Sequence, residues 1–206
     1  MIFSLFTKYP NLKCGFSNRK AGSMNRNLEK NNREKYFGGV GIDFRRAVTA
    51  DLAHGANVVK VSDTEAGTMI AKTDGLITDS KNLFLSATAA DCFLLYFYDP
   101  SKNIIGITHA GWRGLLAGII ENTIDALIKN FDVVPKNIFV VMSPGIRKCH
   151  FEISSTDKEK FQEYYDFVYE RESKIFVSLP DIIRDKLLNK RLMAERIEDG
   201  ALCTFC

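Results

Sequence analysis

Residues 92–98, CFLLYFY, are the longest uninterrupted apolar run in the 206-residue chain, and the polar residues 99–103 separate them from a second β-rich segment, IIGITHA, that ends before Gly111. A strand with one face in water alternates apolar and polar residues. A strand apolar at every position is covered on both faces. At seven residues the run is far short of the eighteen or so that a membrane span requires. It therefore predicts central strands of a buried sheet, with helices laid over it.

The rest of the chain extends that picture. AVTADLAHG and NVVKV read as short strands separated by turn residues, LFLSATAAD as a further β-rich piece and NIFVVMS as another buried strand. From Gly114 the apolar period switches to helical. Leu115, Ile119, Leu127 and Ile128 share a face over residues 114–130, with Glu121, Asn122, Asp125 and Lys129 towards water. DKEKFQEYY predicts a short helix, and LPDIIRDKLLNK a longer one with Pro180 in its first turn. Residues 21–46 are polar and glycine-punctuated, which predicts a long loop or a short helix between loops. The expectation is an α+β (α/β-like) single domain, 1–206, of mixed sheets covered by helices.

Composition removes several function classes. A net charge of +3 is too small for a dedicated nucleic-acid binder, although residues 1–60 carry 11 Lys and Arg against 4 Asp and Glu. The opening residues lack the basic start and the apolar length of a secretory signal, and five cysteines are an odd number for a disulfide framework. These features predict a cytoplasmic protein with free thiols or metal ligands and no membrane partner.

The chain has three histidines, so the search for a chemical centre is short. His54 lies where a strand resumes after HG, Cys92 opens the apolar strand directly after Asp91, and His109 ends the next strand before Gly-Trp-Arg-Gly. Three strand ends can meet on one rim. Two imidazoles and a thiolate would hold a metal with one position open, as catalytic zinc sites do. Spacing alone leaves two other readings open: ordinary packed residues, or a Cys92 nucleophile with His109 as base. HFE at 150–152 and CTFC at 203–206 superficially match the metal motifs of nucleobase deaminases. Leu202 stands where a proline is expected, however, and no residues follow Cys206 to carry the motif's helix. His150 reads as a packing or surface residue, and the two cysteines as a final strand or an exposed thiol pair.

HGANVV, TDGLIT, AADCFLLYFYDP, GITHAGWRGLLAGII and SPGIRKCHFEI occur in an order and spacing that resemble the bacterial laccase-domain family. That family is also called the polyphenol oxidase or purine nucleoside phosphorylase family, and it has a peptidoglycan-editing branch. The resemblance implies a layered sandwich of the YfiH-like hydrolase type and metal ligands at His54, Cys92 and His109. It also implies zinc-dependent phosphorolysis of adenosine, extending to methylthioadenosine, and deamination of adenosine, with nucleoside and phosphate as small-molecule partners. Amide hydrolysis at the same site is the alternative. Copper oxidation is a further one, since His₂Cys also suits Cu²⁺, but three histidines are too few for a multicopper centre. A non-catalytic metal-binding module is the last.

Within this resemblance, Gly111 would let the backbone turn away from the metal, Gly114 would open a helix whose free N–H groups suit an anion, and Arg113 would add a permanent charge. Trp112 would stack on a base, and Asp91 would orient a ligand histidine. The chain departs from the family pattern with Leu94 in place of proline, Ser143 in place of glycine and His150 in place of tyrosine. It is also expected to lack an aromatic, arginine-containing tail beyond Cys206.

Overall fold

The computed structural model describes residues 3–25 and 31–206. Its regular elements, in chain order, are α1 (Asn32–Gly39), β1 (Ala47–Ala50), β2 (Val58–Lys60), β3 (Met69–Ile70), β4 (Gly75–Thr78), β5 (Phe84–Ser86), β6 (Phe93–Asp99), β7 (Ile104–Ala110), α2 (Trp112–Leu116), α3 (Ile119–Phe131), β8 (Phe139–Met142), β9 (Glu152–Ile153), α4 (Ser155–Lys158), β10 (Val168–Arg171), β11 (Lys174–Val177), α5 (Leu179–Asn189) and β12 (Ile197–Asp199). A six-stranded mixed sheet in the order β12-β8-β6-β7-β4-β2 forms the centre, flanked by three-stranded sheets β3-β1-β5 and β10-β11-β9. The class is α+β, as expected.

The apolar run becomes β6, and its two-residue period explains why it carries no polar position. Phe93, Leu95 and Phe97 face the main core beneath α3 and α5, with Ile124, Leu127, Ile183 and Leu187. Leu94 faces the other way, into a cluster with Val48, Ala50 and Ile107, while Tyr98 joins Phe3, Phe6 and Val141 in a third. Full burial of each such side chain contributes about 1.5–3 kcal/mol. The small β3-β1-β5 sheet is thus the second cover of the central sheet, where helices alone were expected. Buried Arg33 of α1 ties itself to that small sheet by donating to Thr49 Oγ1 (2.9 Å) and Ser86 Oγ (3.1 Å).

Three expectations need correction. The helix foreseen over 114–130 is two helices, because Gly118 adopts φ 85°, a left-handed conformation that interrupts the ladder between α2 and α3. The stripe that α3 buries is Ile120, Ile124, Leu127 and Phe131, while Ile128 lies at its solvent edge, 37% exposed. The DKEKFQEYY segment begins inside α4 and continues as a kinked 3₁₀ stretch to Phe167. In the 21–46 region α1 is the expected short helix, and residues 26–30 lie outside the described residues. Among the described residues, no helix is long and apolar enough to cross a membrane.

Candidate metal centre

Strand register assembles the centre. In the antiparallel pair β6/β7, Leu94 stands opposite His109 and Phe93 opposite Ala110. Cys92 shares a face with Leu94, so it is the diagonal neighbour of His109, within side-chain reach. In the pair β4/β7, Gly75 opposes Thr108, which sets Asp74 beside His109. The His109 amide donates to the Asp74 carbonyl at 2.7 Å. Finally, β2 runs parallel to β4, and the turn that leads into it brings His54 over the same rim. The ligand atoms of His54, Cys92 and His109 all lie within 4.8 Å of one another, so the three can hold a metal ion.

Asp74 locks this arrangement. It is 1% exposed, and each of its carboxylate oxygens accepts two hydrogen bonds. Oδ1 takes the His54 amide and His109 Nδ1, both at 2.9 Å, while Oδ2 takes the amides of Ala53 (3.2 Å) and Gly55 (2.9 Å). A buried carboxylate satisfied in this way holds its proton donors in place. With Nδ1–H committed to Asp74, His109 has Nε2 free for a metal, the pairing by which a carboxylate sets a ligand histidine's tautomer. The same amide contacts hold His54, at φ 59°, in a left-handed conformation uncommon for a non-glycine residue.

Asp74 therefore takes the part assigned in the sequence to Asp91. Asp91 Oδ1 instead accepts from Thr204 Oγ1 at 2.7 Å. The TDG stretch at 73–75 was part of the family pattern, but nothing local distinguishes its Asp from a turn former. Only the cross-strand register reveals it.

The Gly-Trp-Arg-Gly junction also acquires specific reasons. Gly111 has an ordinary φ of −75°, so left-handed freedom is not what it supplies. A Cβ there would sit 3.0 Å from Cys92 Sγ and 3.3 Å from His109 Cε1, in the space beside the donors. At Gly114 a Cβ would come within 2.8 Å of the Gly55 carbonyl, against which α2 packs to hold the His54 turn. Gly114 lies inside α2 rather than at its start, and that helix is only five residues long, too short to add much dipole. Trp112 packs partly into the main core, its ring 5.9 Å from that of Phe161, with the exposed Arg113 guanidinium 4.3 Å from its centroid.

Electrostatics bear on the ligand and nucleophile readings. Burial, reinforced by Asp91, pushes the Cys92 thiol above its ordinary value, and Arg113 offsets this only in part. Burial lowers the His109 value in spite of Asp74, which favours the neutral, metal-binding imidazole. A thiol disfavoured as the free thiolate is a poor unassisted nucleophile, whereas a bound cation would stabilise the same thiolate. The donor types, the tautomer lock and the side-chain-free space at Gly111 together fit a metal.

A second cluster joins residues read separately in the sequence. Donor atoms of Cys149, His150, Cys203 and Cys206 also lie within 4.8 Å of one another. Glu152, two residues on, pairs at the surface with Lys174 Nζ at 2.9 Å.

Known proteins resemble the chain in sequence and in fold. A Bacillus subtilis protein named purine nucleoside phosphorylase YlmD is 29% identical over 185 residues, which cover 84% of this chain and 66% of that protein. The Staphylococcus saprophyticus purine nucleoside phosphorylase SSP1584 is 36% identical over 116 residues, 53% of this chain and 42% of that protein. The chain thus spans less than two thirds of the length of these relatives. Among solved structures, YfiH of Bacillus licheniformis superposes with a TM-score of 0.80 at 32% identity, over 85% of this chain and 71% of that one. YlmD of Geobacillus stearothermophilus superposes with a TM-score of 0.79 at 25% identity, over 92% and 74% respectively. The sequence model of the multi-copper polyphenol oxidoreductase laccases matches residues 9–206, a stretch that holds every donor of the His54, Cys92 and His109 centre, and the chain belongs to that family.

Proposed function

We propose that the chain is a metal-dependent purine nucleoside enzyme that cleaves adenosine with phosphate and also deaminates it. The observation that carries this reading is the three-donor centre with its Asp74 lock, in a chain whose relatives are named purine nucleoside phosphorylases. The donor set suits zinc, held by His54, Cys92 and His109. When bound there, zinc supplies Lewis acidity, which polarises an electrophile or acidifies water.

The remaining roles belong to the chain's own side chains. In phosphorolysis a phosphate oxygen bonds to ribose C1′ as the bond from C1′ to the purine nitrogen breaks. The electron pair leaves with the base, which takes up a proton, giving free purine and ribose 1-phosphate. Arg113, exposed and electrostatically coupled to Cys92, presents a planar donor pair suited to that phosphate. Trp112, on whose ring the Arg113 guanidinium rests, flanks that donor. For deamination, water replaces the amino group and ammonia departs. Asp74 keeps the His109 ring in one orientation in both reactions.

Turnover of adenosine by zinc-loaded protein, with and without inorganic phosphate, tests the reading when free adenine and ribose 1-phosphate are followed by chromatography. Adenine release should require phosphate, and Cys92→Ala should abolish it together with metal at this centre, since two imidazoles leave too few ligands. Full turnover by metal-free protein, lost on alkylation of Cys92, would sink the proposal in favour of the nucleophile.

A further inference from the structure

The cluster of Cys149, His150, Cys203 and Cys206 stands outside the centre just described. We propose that it is a second metal site, a closed Cys₃His zinc site that clasps segment 203–206 onto the loop after β8. Three of its six donor separations lie near those around a tetrahedral ion, and the rest are within 4.8 Å. With Zn–S of about 2.3 Å and Zn–N of about 2.0 Å, tetrahedral angles put sulfurs about 3.8 Å apart and sulfur about 3.5 Å from nitrogen. Here Cys149 Sγ and Cys206 Sγ are 3.7 Å apart, and His150 Nδ1 lies 3.3 Å from Cys206 Sγ and 3.9 Å from Cys203 Sγ. Four donors from two separate segments converge without a disulfide among them.

The surroundings hold the donors still. Phe205 stacks on His150 with ring centroids 4.2 Å apart and planes 26° from parallel, which fixes the imidazole. Segment 203–206 meets the loop through a parallel bridge between Gly145 and Cys203, in which the Gly145 amide donates to the Leu202 carbonyl and the Thr204 amide to the Gly145 carbonyl. Arg147 anchors the loop from below through a two-pronged pair with Asp199. Three sulfurs and one imidazole form a soft donor set that selects zinc over hard cations. Four protein ligands leave no open position, so the ion's role here is structural.

Metal counting on the 206-residue protein, purified under reducing conditions and freed of loosely held metal, tests the assignment. Wild type should carry two zinc ions per chain. Cys206→Ser, at an exposed position, and His150→Ala should each carry one, and Cys92→Ala should also carry one through the other centre. Failure of the His54, Cys92 and His109 reading is therefore distinguishable from failure of this one. Alkylation mapped by peptide mass analysis gives a second readout: Cys149, Cys203 and Cys206 should be protected until a chelator is added, in Cys92→Ala as in wild type. A single zinc in wild type that Cys92→Ala removes would overturn the site. So would two zinc ions retained by Cys206→Ser and His150→Ala, another metal in the cluster, or a disulfide between Cys149 and Cys206 in the reduced preparation.

Discussion

The two donor clusters share imidazole and thiolate chemistry but are built in opposite ways. The centre of His54, Cys92 and His109 hangs from the ends of β6 and β7 and the turn before β2, with His54 exposed but His109 2% exposed and fixed by a carboxylate that has no hydrogen-bonding capacity to spare. The cluster of Cys149, His150, Cys203 and Cys206 hangs from two loops, likewise includes one exposed donor, Cys206, and among the described residues shows no such carboxylate. Three donors with a rigid frame leave room for a reacting molecule. Four donors from two loops close the coordination shell and tie those loops together. The contrast teaches that the number of donors and the elements that carry them, more than donor type, separate a site for chemistry from a clasp.

Asp74→Asn should break the comparison hardest. The replacement preserves shape, but its amide group offers one acceptor oxygen where the carboxylate has two. Either it opposes a backbone N–H with another donor, or it donates to His109 Nδ1 and moves the ring proton to Nε2, where the metal would bind. Affinity at the three-donor centre should fall about 10–100-fold, the range for loss of such a supporting carboxylate. The Cys₃His cluster should keep its zinc. Competition with a chromophoric chelator measures both, and an equal loss at the two sites would mean that Asp74 stabilises the fold rather than one tautomer.

How far such sites can be read from sequence depends on the range of the interactions that build them. The buried strand β6 was legible because its signal is local: an apolar residue at every position can only mean two covered faces. His54, Cys92 and His109 were legible as candidates because ligand types are few and each sat at a predicted strand end. Asp74 was not, since its role exists only through the register that opposes it to His109. The two halves of the Cys₃His cluster lie 53 or more residues apart and meet through one isolated bridge at Gly145, which leaves no periodic trace. The break at Gly118 was hidden for a different reason. A single glycine inside a helical pattern is usually tolerated, and only its positive φ shows that the ladder is cut.

Arg113 sharpens the comparison by separating substrate from metal. Its guanidinium is exposed and rests on Trp112, so removing it leaves both donor sets intact. Arg113→Ala should raise the phosphate KM about tenfold, the scale of one solvent-accessible charge-assisted contact. Zinc content should stay unchanged at both sites. Arg113→Lys should recover only part of the loss, because it restores the charge but not the planar fork. A phosphate KM within error of wild type in Arg113→Ala would remove Arg113 from the anion site, and a loss of zinc would make it a structural residue.

The smallest effect concerns the side-chain hydrogen bond that ties segment 203–206 to Asp91, beside a main-chain bond from the Ile146 amide to the Asp91 carbonyl at 2.7 Å. Thr204, between the Cys-x-x-Cys donors, donates to Asp91, the residue directly before Cys92. Thr204→Val keeps the shape of the side chain and deletes that donor. If the clusters are independent, only the clasp should respond: exchange of the Gly145 and Thr204 amides should quicken by roughly twofold to fivefold, the worth of one exposed hydrogen bond. Zinc affinity at the three-donor centre should stay within about twofold of wild type. Metal removal should amplify the exchange difference, because the bridge at Gly145 then loses the ion that reinforces it. A tenfold loss of affinity at the three-donor centre in Thr204→Val would contradict independence and make Asp91 a coupling element that passes the state of segment 203–206 to Cys92.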